Sequence, residues 1–430
     1  MTQTSYLIHN TRVLGGQQSD ILVRDGVITE IAPGISAPDA QVVPADGAVA
    51  LPGLVDLHTH LREPGREDAE TVASGSRTAA MGGFSAIHAM ANTDPVADTA
   101  GVVEQVWRLG RAAGYCDVRP VGAVTRSLGG QQLAELGAMA DSAAQVRVFS
   151  DDGLCVSDAL LMRRALEYVR AFDGVVAQHA QEPRLTKGAQ LNEGVVADQL
   201  GLQGWPAVAE EAIIARDCLL AEHVQSRLHV CHVSTRGSVQ ILREAKRRGC
   251  PVTAEVTPHH LLLTDELAQH YDPCYKVNPP LRTAADVQAV REGLADGTID
   301  CVATDHAPHP IEAKETEWEG AAMGMLGLET ALPVVQRAMV ESRLLDWTTV
   351  ARRMSLTPAR IGGVSGHGRP VAVGEPANLT LYDPTEVREV DATEFVSKSR
   401  NTPYGGMWLS GRVLATFLRG VPTVLGGKLT

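Results

Sequence analysis

Between Leu54 and Thr304 the chain repeats one local pattern: a short apolar run of strand type, then a longer run whose apolar residues are spaced as on a helix. This repetition limits the fold more than any other feature of the sequence. Strands separated by helices cannot pair as hairpins, so they become parallel neighbours with crossover helices outside them. The strand signals fall at 54–60, 84–90, 118–124, 146–151, 174–179, 228–233, 252–257 and 299–304. Helical patterns separate them, as at 158–172, 207–225 and 235–249. Eight such units fit a closed (β/α)8 barrel, with a doubly wound open sheet as the alternative.

The two ends of the chain follow a different pattern. Residues 6 to about 50 alternate apolar and polar, and Asp25-Gly26 between two such runs is a hairpin turn signal. After about residue 365 strand signals return without helices between them, at 378–382 and 412–418. The expectation is an α/β chain in which residues 52–364 form the (β/α)8 TIM-type barrel. Residues 1–51 and 365–430 would together build one small β-sandwich domain beside it. A length of 430 residues accommodates both.

Charge and cysteine usage exclude several functions. A net charge of −13 argues against nucleic acid and anionic membrane surfaces as partners. No apolar run approaches membrane-spanning length, and the stretch Met1 to Tyr6 lacks the basic start and apolar core of a signal peptide. The seven cysteines are scattered without a Cys-x-x-Cys pair, which suits free thiols in a reducing cytoplasm.

In a barrel the chemistry gathers at the carboxyl ends of the strands. The first strand ends in Leu57-His58-Thr59-His60, and alternate strand residues share a face, so both imidazoles point the same way. Strand four ends in Ser150-Asp151-Asp152-Gly153, strand five in Gln178-His179, strand six in Cys231-His232 and strand eight in Thr304-Asp305-His306. Taken singly, each is more simply a hydrogen-bonded histidine or an Asp-Gly turn. Together they put four histidines and two carboxylates on one rim, enough for two divalent metals sharing a bridging carboxylate. Arg62 adds a guanidinium fork suited to a carboxylate.

The run His58-Thr59-His60-Leu61-Arg62-Glu63-Pro64-Gly65 resembles the signature of the dihydroorotases, long-chain bacterial type, within the amidohydrolase superfamily. So do Phe149-Ser150-Asp151-Asp152-Gly153, Glu255-Val256-Thr257-Pro258-His259-His260, Lys276-Val277-Asn278-Pro279-Pro280-Leu281-Arg282, Asp305-His306-Ala307-Pro308-His309 and Ser397-Lys398-Ser399-Arg400-Asn401-Thr402-Pro403. The resemblance spans essentially the whole chain. It implies a zinc enzyme, with two Zn2+ per chain, that interconverts N-carbamoyl-L-aspartate and (S)-dihydroorotate plus water in pyrimidine biosynthesis. The implied metal ligands are His58, His60, Asp152, His179, His232 and Asp305, with Asp305 also the catalytic proton carrier. Arg62, Asn92, Asn278 and His309 are the implied substrate contacts. Many relatives bridge their metals with a carboxylated lysine on strand four, but the first lysine here is Lys187. Asp151 or Asp152 must then bridge, and the resemblance favours Asp152, with Asp151 supporting the turn.

The chain departs from the family pattern at Ala91, where proline is common, and at Ala322-Met323-Gly324, where Pro-Phe-Gly is common. His88, His259 and His260 are expected in structural roles, and the loop 309–324 is a candidate lid over the site. The rival activities are those of allantoinase and dihydropyrimidinase. Allantoinase-like chains tend to carry asparagine at the Arg62 position, and dihydropyrimidinases lack the Arg-Glu-Pro-Gly continuation. A rival of another class is an inactive relative serving as a partner subunit. The resemblance further implies a homodimer and an association with aspartate transcarbamoylase.

Overall fold

The computed structural model describes residues 4–430; residues 1–3, part of the stretch read as lacking a signal peptide, lie outside the described residues. Strands β1 (Tyr6–Val13), β2 (Gln18–Arg24) and β3 (Val27–Ala32) pair antiparallel in sequence order. The β2–β3 turn is the expected Asp25-Gly26, with φ of 49° and 80°, the left-handed pair that a tight hairpin needs. Strands β4 (Gln41–Pro44) and β5 (Val49–Pro52) both run parallel to β1.

The eight expected barrel strands follow at the expected places. They are β6 (Leu54–Thr59), β7 (Phe84–Ala89), β8 (Asp117–Pro120), β9 (Val148–Phe149) and β10 (Val175–Gln178). After a short pair, β11 (Leu191–Asn192) and β12 (Gly204–Trp205), come β13 (Leu228–Val230), β14 (Val252–Val256) and β15 (Cys301–Val302). All pairings among the eight are parallel, in two arcs, β6-β7-β8 and β9-β10-β13-β14-β15. Bridges from Gly122 to Phe149 and from Thr59 to His306 join the arcs at both seams. The sheet therefore closes, which settles the barrel over the open sheet. Asp56 ties the second seam, because its carboxylate accepts from Thr304 Oγ1 (2.6 Å), Thr304 N (3.1 Å) and His58 N (3.0 Å).

Helices Ala159–Val169, Val208–Val224 and Arg236–Arg247 occupy the stretches whose spacing predicted them. The third shows why. Thr235 caps it by accepting from Ser238 N, Val239, Leu242 and Ala245 are buried at three-residue intervals, and Lys246 and Arg247 lie in the last turn. Such faces pack on outward strand residues like Val176. The alternate residues Val175 and Ala177 join Met90, Val121 and Val148 in a separate cluster.

At the far end β16 (Leu379–Glu389) pairs with β5, then β17 (Trp408–Leu418), β18 (Val421–Leu425) and β19 (Lys428–Leu429) follow antiparallel. Strands from both ends thus make one nine-stranded sheet. Tyr6 on β1 and Phe417 on β17, not neighbours in that sheet, meet edge to face with ring centroids 5.6 Å apart. The sheet is therefore folded onto itself as a small sandwich around Ile8, Ile21, Val23, Leu379, Leu381 and Phe417. Gly53 joins it to the barrel where a Cβ would lie 2.5 Å from Ser85 Oγ, so no larger residue fits. Among the described residues no helix is long and apolar enough to cross a membrane.

Candidate metal centre

His58 and His60 leave the end of β6 on one face, their ring centroids 5.4 Å apart. From the β9 end comes Asp152, from β10 His179, from β13 His232 and from β15 Asp305. All six side chains are buried. The Asp152 carboxylate lies at the middle of the group. Its Oδ1 is 3.3 Å from His58 Nε2, 3.1 Å from His179 Nδ1 and 3.2 Å from His232 Nε2, and its Oδ2 is 3.3 Å from His60 Nε2. Asp305 Oδ1 is 3.1 Å from His60 Nε2 and 3.5 Å from His58 Nε2. The sequence-derived ligand candidates thus converge on one point of the rim.

Asp151, one residue earlier, points elsewhere. Its carboxylate accepts from Val124 N (2.8 Å), Thr125 N (2.9 Å) and the Thr125 hydroxyl, fastening the loop after β8. The backbone also bends sharply at the site: Arg62, His232 and Asp305 have φ of 64°, 32° and 49°. Non-glycine residues are held in that left-handed region only where surrounding contacts enforce it.

The hydrogen bonds outside this cluster determine what it can hold. His58 Nδ1 donates to Glu255 Oε1 at 2.7 Å, His60 Nδ1 to Asn92 Oδ1 at 2.9 Å, and His179 Nε2 to Gln181 Oε1 at 2.8 Å. Each neutral imidazole has a single N–H, and these acceptors take it. The opposite nitrogens therefore turn lone pairs inward, toward the Asp152 and Asp305 oxygens. His58 Nε2 is buried with no hydrogen-bond partner. Lone pairs facing carboxylates at about 3 Å repel unless a cation lies among them, so the donor set fits divalent metal. Two triads each bring one ligand atom per residue within 4.8 Å of one another: His58, His60 and Asp152, and Asp152, His179 and His232. Asp152 is common to both, as a bridging carboxylate would be.

Glu255 had no role assigned from sequence, although it stands in a quoted motif. Its second oxygen accepts from His229 Nε2 at 3.0 Å. Burial alone would raise its pKa, but the bonds from His229 and His58 outweigh burial and hold it at about 2. A lone carboxylate inside the short strand Val252–Val256, otherwise valine, threonine and alanine, was the available signal. Gln181 carried no such signal.

Arg62 is buried beside the cluster; its Nε donates to Pro308 O at 3.1 Å, and it forms no ion pair with any carboxylate among the described residues. Burial lowers its pKa to about 10. Asn92, expected to meet substrate through its amide, spends its carbonyl on His60, which leaves the NH2 free of protein partners among the described residues. Asn278 Nδ2 donates to Gln181 Oε1 at 3.1 Å, while its Oδ1 is buried and unpartnered. His309 donates from Nε2 to Met323 O at 2.9 Å, so its unpartnered Nδ1 is an acceptor. His260 contacts the Pro279 and Pro280 carbonyls at 3.2 and 3.3 Å, and His88 bonds Asp56 O at 2.9 Å, both structural contacts. His259 Nε2 is buried without a partner.

Residues 47–238 match the family described as Dihydro-orotase-like. The chain is 68% identical over 424 residues to the dihydroorotase of Streptomyces coelicolor, covering 99% of each chain. It is 54% identical over 427 residues to that of Mycobacterium tuberculosis, again covering 99% of each. Among solved structures it is similar to L-hydantoinase (dihydropyrimidinase) from Arthrobacter aurescens, with a TM-score of 0.87 at 27% identity over 100% of this chain and 98% of that one. The dihydropyrimidinase of Brevibacillus agri, at 21% identity, 99% and 96% coverage and a TM-score of 0.84, shares the fold. With that identity maintained over nearly its full length, the chain belongs to the dihydroorotase family.

Proposed function

We propose that the protein is a dihydroorotase, interconverting N-carbamoyl-L-aspartate and (S)-dihydroorotate plus water in pyrimidine biosynthesis. The observation that carries this reading is Arg62, a buried guanidinium without a carboxylate of its own, beside two ligand triads that share Asp152. An unpaired buried charge is unfavourable, and a substrate carboxylate would supply the missing bidentate partner. A cyclic amide without a carboxylate, the substrate type of the rival activities, would leave it unpaired.

Two zinc ions held by His58, His60, Asp152, His179, His232 and Asp305 would supply Lewis-acid polarisation of the amide carbonyl and a water of lowered pKa. The chain's own residues do the rest. Arg62 orients the substrate carboxylate, and the free Asn92 amide, Asn278 Oδ1 and His309 Nδ1 offer further hydrogen bonds. Asp305 takes the proton released as water attacks and delivers it to the leaving ring nitrogen. The same reading divides the chain into the barrel, 52–364, and the small β domain, 1–51 with 365–430. It also carries a homodimer, association with aspartate transcarbamoylase and a cytoplasmic location; seven free cysteines suit the last.

Metal analysis alongside assays in both directions tests the proposal. Chelation is expected to abolish turnover, and zinc, cobalt or manganese to restore it. Full activity without metal, or no turnover of dihydroorotate by metal-replete protein, would overturn it. Arg62→Met is expected to lose roughly 3 kcal/mol of transition-state stabilisation at unchanged metal content. Wild-type kcat/KM in that variant would remove Arg62 from the site.

A further inference from the structure

The loop 309–324 after β15 and the segment facing it each carry a buried lysine that the metal centre does not explain. Lys314 lies on that loop, 5% exposed, and its ammonium spends all three N–H groups on carbonyls. The acceptors are Pro273 O (2.9 Å), Lys276 O (3.1 Å) and Ala322 O (2.7 Å). Lys276, 2% exposed, answers from the facing segment, donating to Trp318 O at 2.5 Å and Glu319 O at 3.1 Å. Gly324 N adds a 3.0 Å bond to Lys276 O. Among the described residues neither lysine forms an ion pair. Burying two ammonium groups without counter-ions is expensive, and an apolar pair would fill the space at lower cost. What an apolar pair cannot do is gather five carbonyls from two loops.

Each of the two segments holds one of the proposed substrate contacts. His309 opens the lysine-bearing loop, and its Nε2 is fixed by Met323 O near the loop's other end. Asn278 lies two residues beyond Lys276 and meets Gln181 Oε1, the oxygen that also accepts from His179. We infer that Lys314 and Lys276 are positioning residues, a reciprocal latch that holds His309 and Asn278 in register over the metal centre. This rests on the dihydroorotase reading. The latch acts on substrate through those two side chains and touches no proposed metal ligand.

The test is Lys314→Met, made in the full metal-loaded chain and assayed by dihydroorotate hydrolysis. KM is expected to rise about tenfold or more, with kcat within about threefold of wild type and metal content unchanged. Lys314→Arg, which keeps the charge and the donors, is expected to recover part of the loss. Protease nicking within 309–324 is expected to speed up in Lys314→Met, whatever the substrate. If Lys314→Met fails to fold, Lys314→Gln, which keeps two N–H donors, must show the same KM-weighted defect. A lower Tm with unchanged KM in a folded variant would make the latch merely structural and overturn the inference. Absence of dihydroorotase activity in the wild type would instead overturn the reading beneath it, while the nicking comparison still reports on the latch.

Discussion

Asp305→Asn, assayed as metal-replete protein, is expected to slow both directions of the reaction by roughly 10^2- to 10^4-fold, the usual contribution of a positioned acid–base group. The asparagine keeps the shape of the side chain and an oxygen near His60, but it cannot carry a proton. By microscopic reversibility the group that receives the proton during hydrolysis must donate it during ring closure, so one substitution disables both. If Asp305 served only as a ligand, lost activity would track lost metal. Metal-replete Asp305→Asn protein that runs either direction near the wild-type rate would end the proton-carrier role. Proton balance adds a sign. Carbamoyl aspartate has two carboxylates and dihydroorotate one, so cyclisation consumes a proton. Hydrolysis is therefore expected to gain with rising pH, and cyclisation to be favoured as pH falls.

The second large effect concerns the neighbouring aspartates of the β9 end. Asp152→Ala removes the one carboxylate shared by both ligand triads. It also leaves four buried imidazoles, His58, His60, His179 and His232, without the anion now 3.1 to 3.3 Å from each. Metal content is expected to fall to one ion per chain or fewer, and activity by roughly 10^4-fold or more as both ions lose a ligand. Asp151→Ala is expected to behave differently. It strands the Val124 and Thr125 amides and should lower stability by about 1–3 kcal/mol, with metal still bound per folded chain. Metal analysis and thermal denaturation of the two variants side by side decide the matter. Two ions retained in Asp152→Ala, with loss in Asp151→Ala, would reverse the assignment.

What the amino-acid sequence determined by itself was whatever depends on neighbours along the chain. Strand and helix positions follow from spacing, because a buried strand repeats every two residues and an amphipathic helix every three or four. The Asp25-Gly26 hairpin follows from turn chemistry, and the rim position of His58 and His60 from their place at the end of an apolar run. Asp56 was within reach of the same argument, since residues 56, 58 and 60 share one strand face, yet its bond to Thr304 spans 248 residues. Which way His58, His60 and His179 present their lone pairs was decided by Glu255, Asn92 and Gln181. Glu255 is 197 residues from His58, and only closure of the barrel brings its side chain within reach of that imidazole. Asp151 and Asp152 are chemically identical in sequence; the backbone of the turn sends one to the Thr125 loop and the other to the histidines. The paired lysines 276 and 314 bond only to carbonyls, which every residue has, so no side-chain pattern could announce them. Local periodicity fixes which face a residue takes, whereas hydrogen-bond partners from distant segments exist only once the barrel has closed.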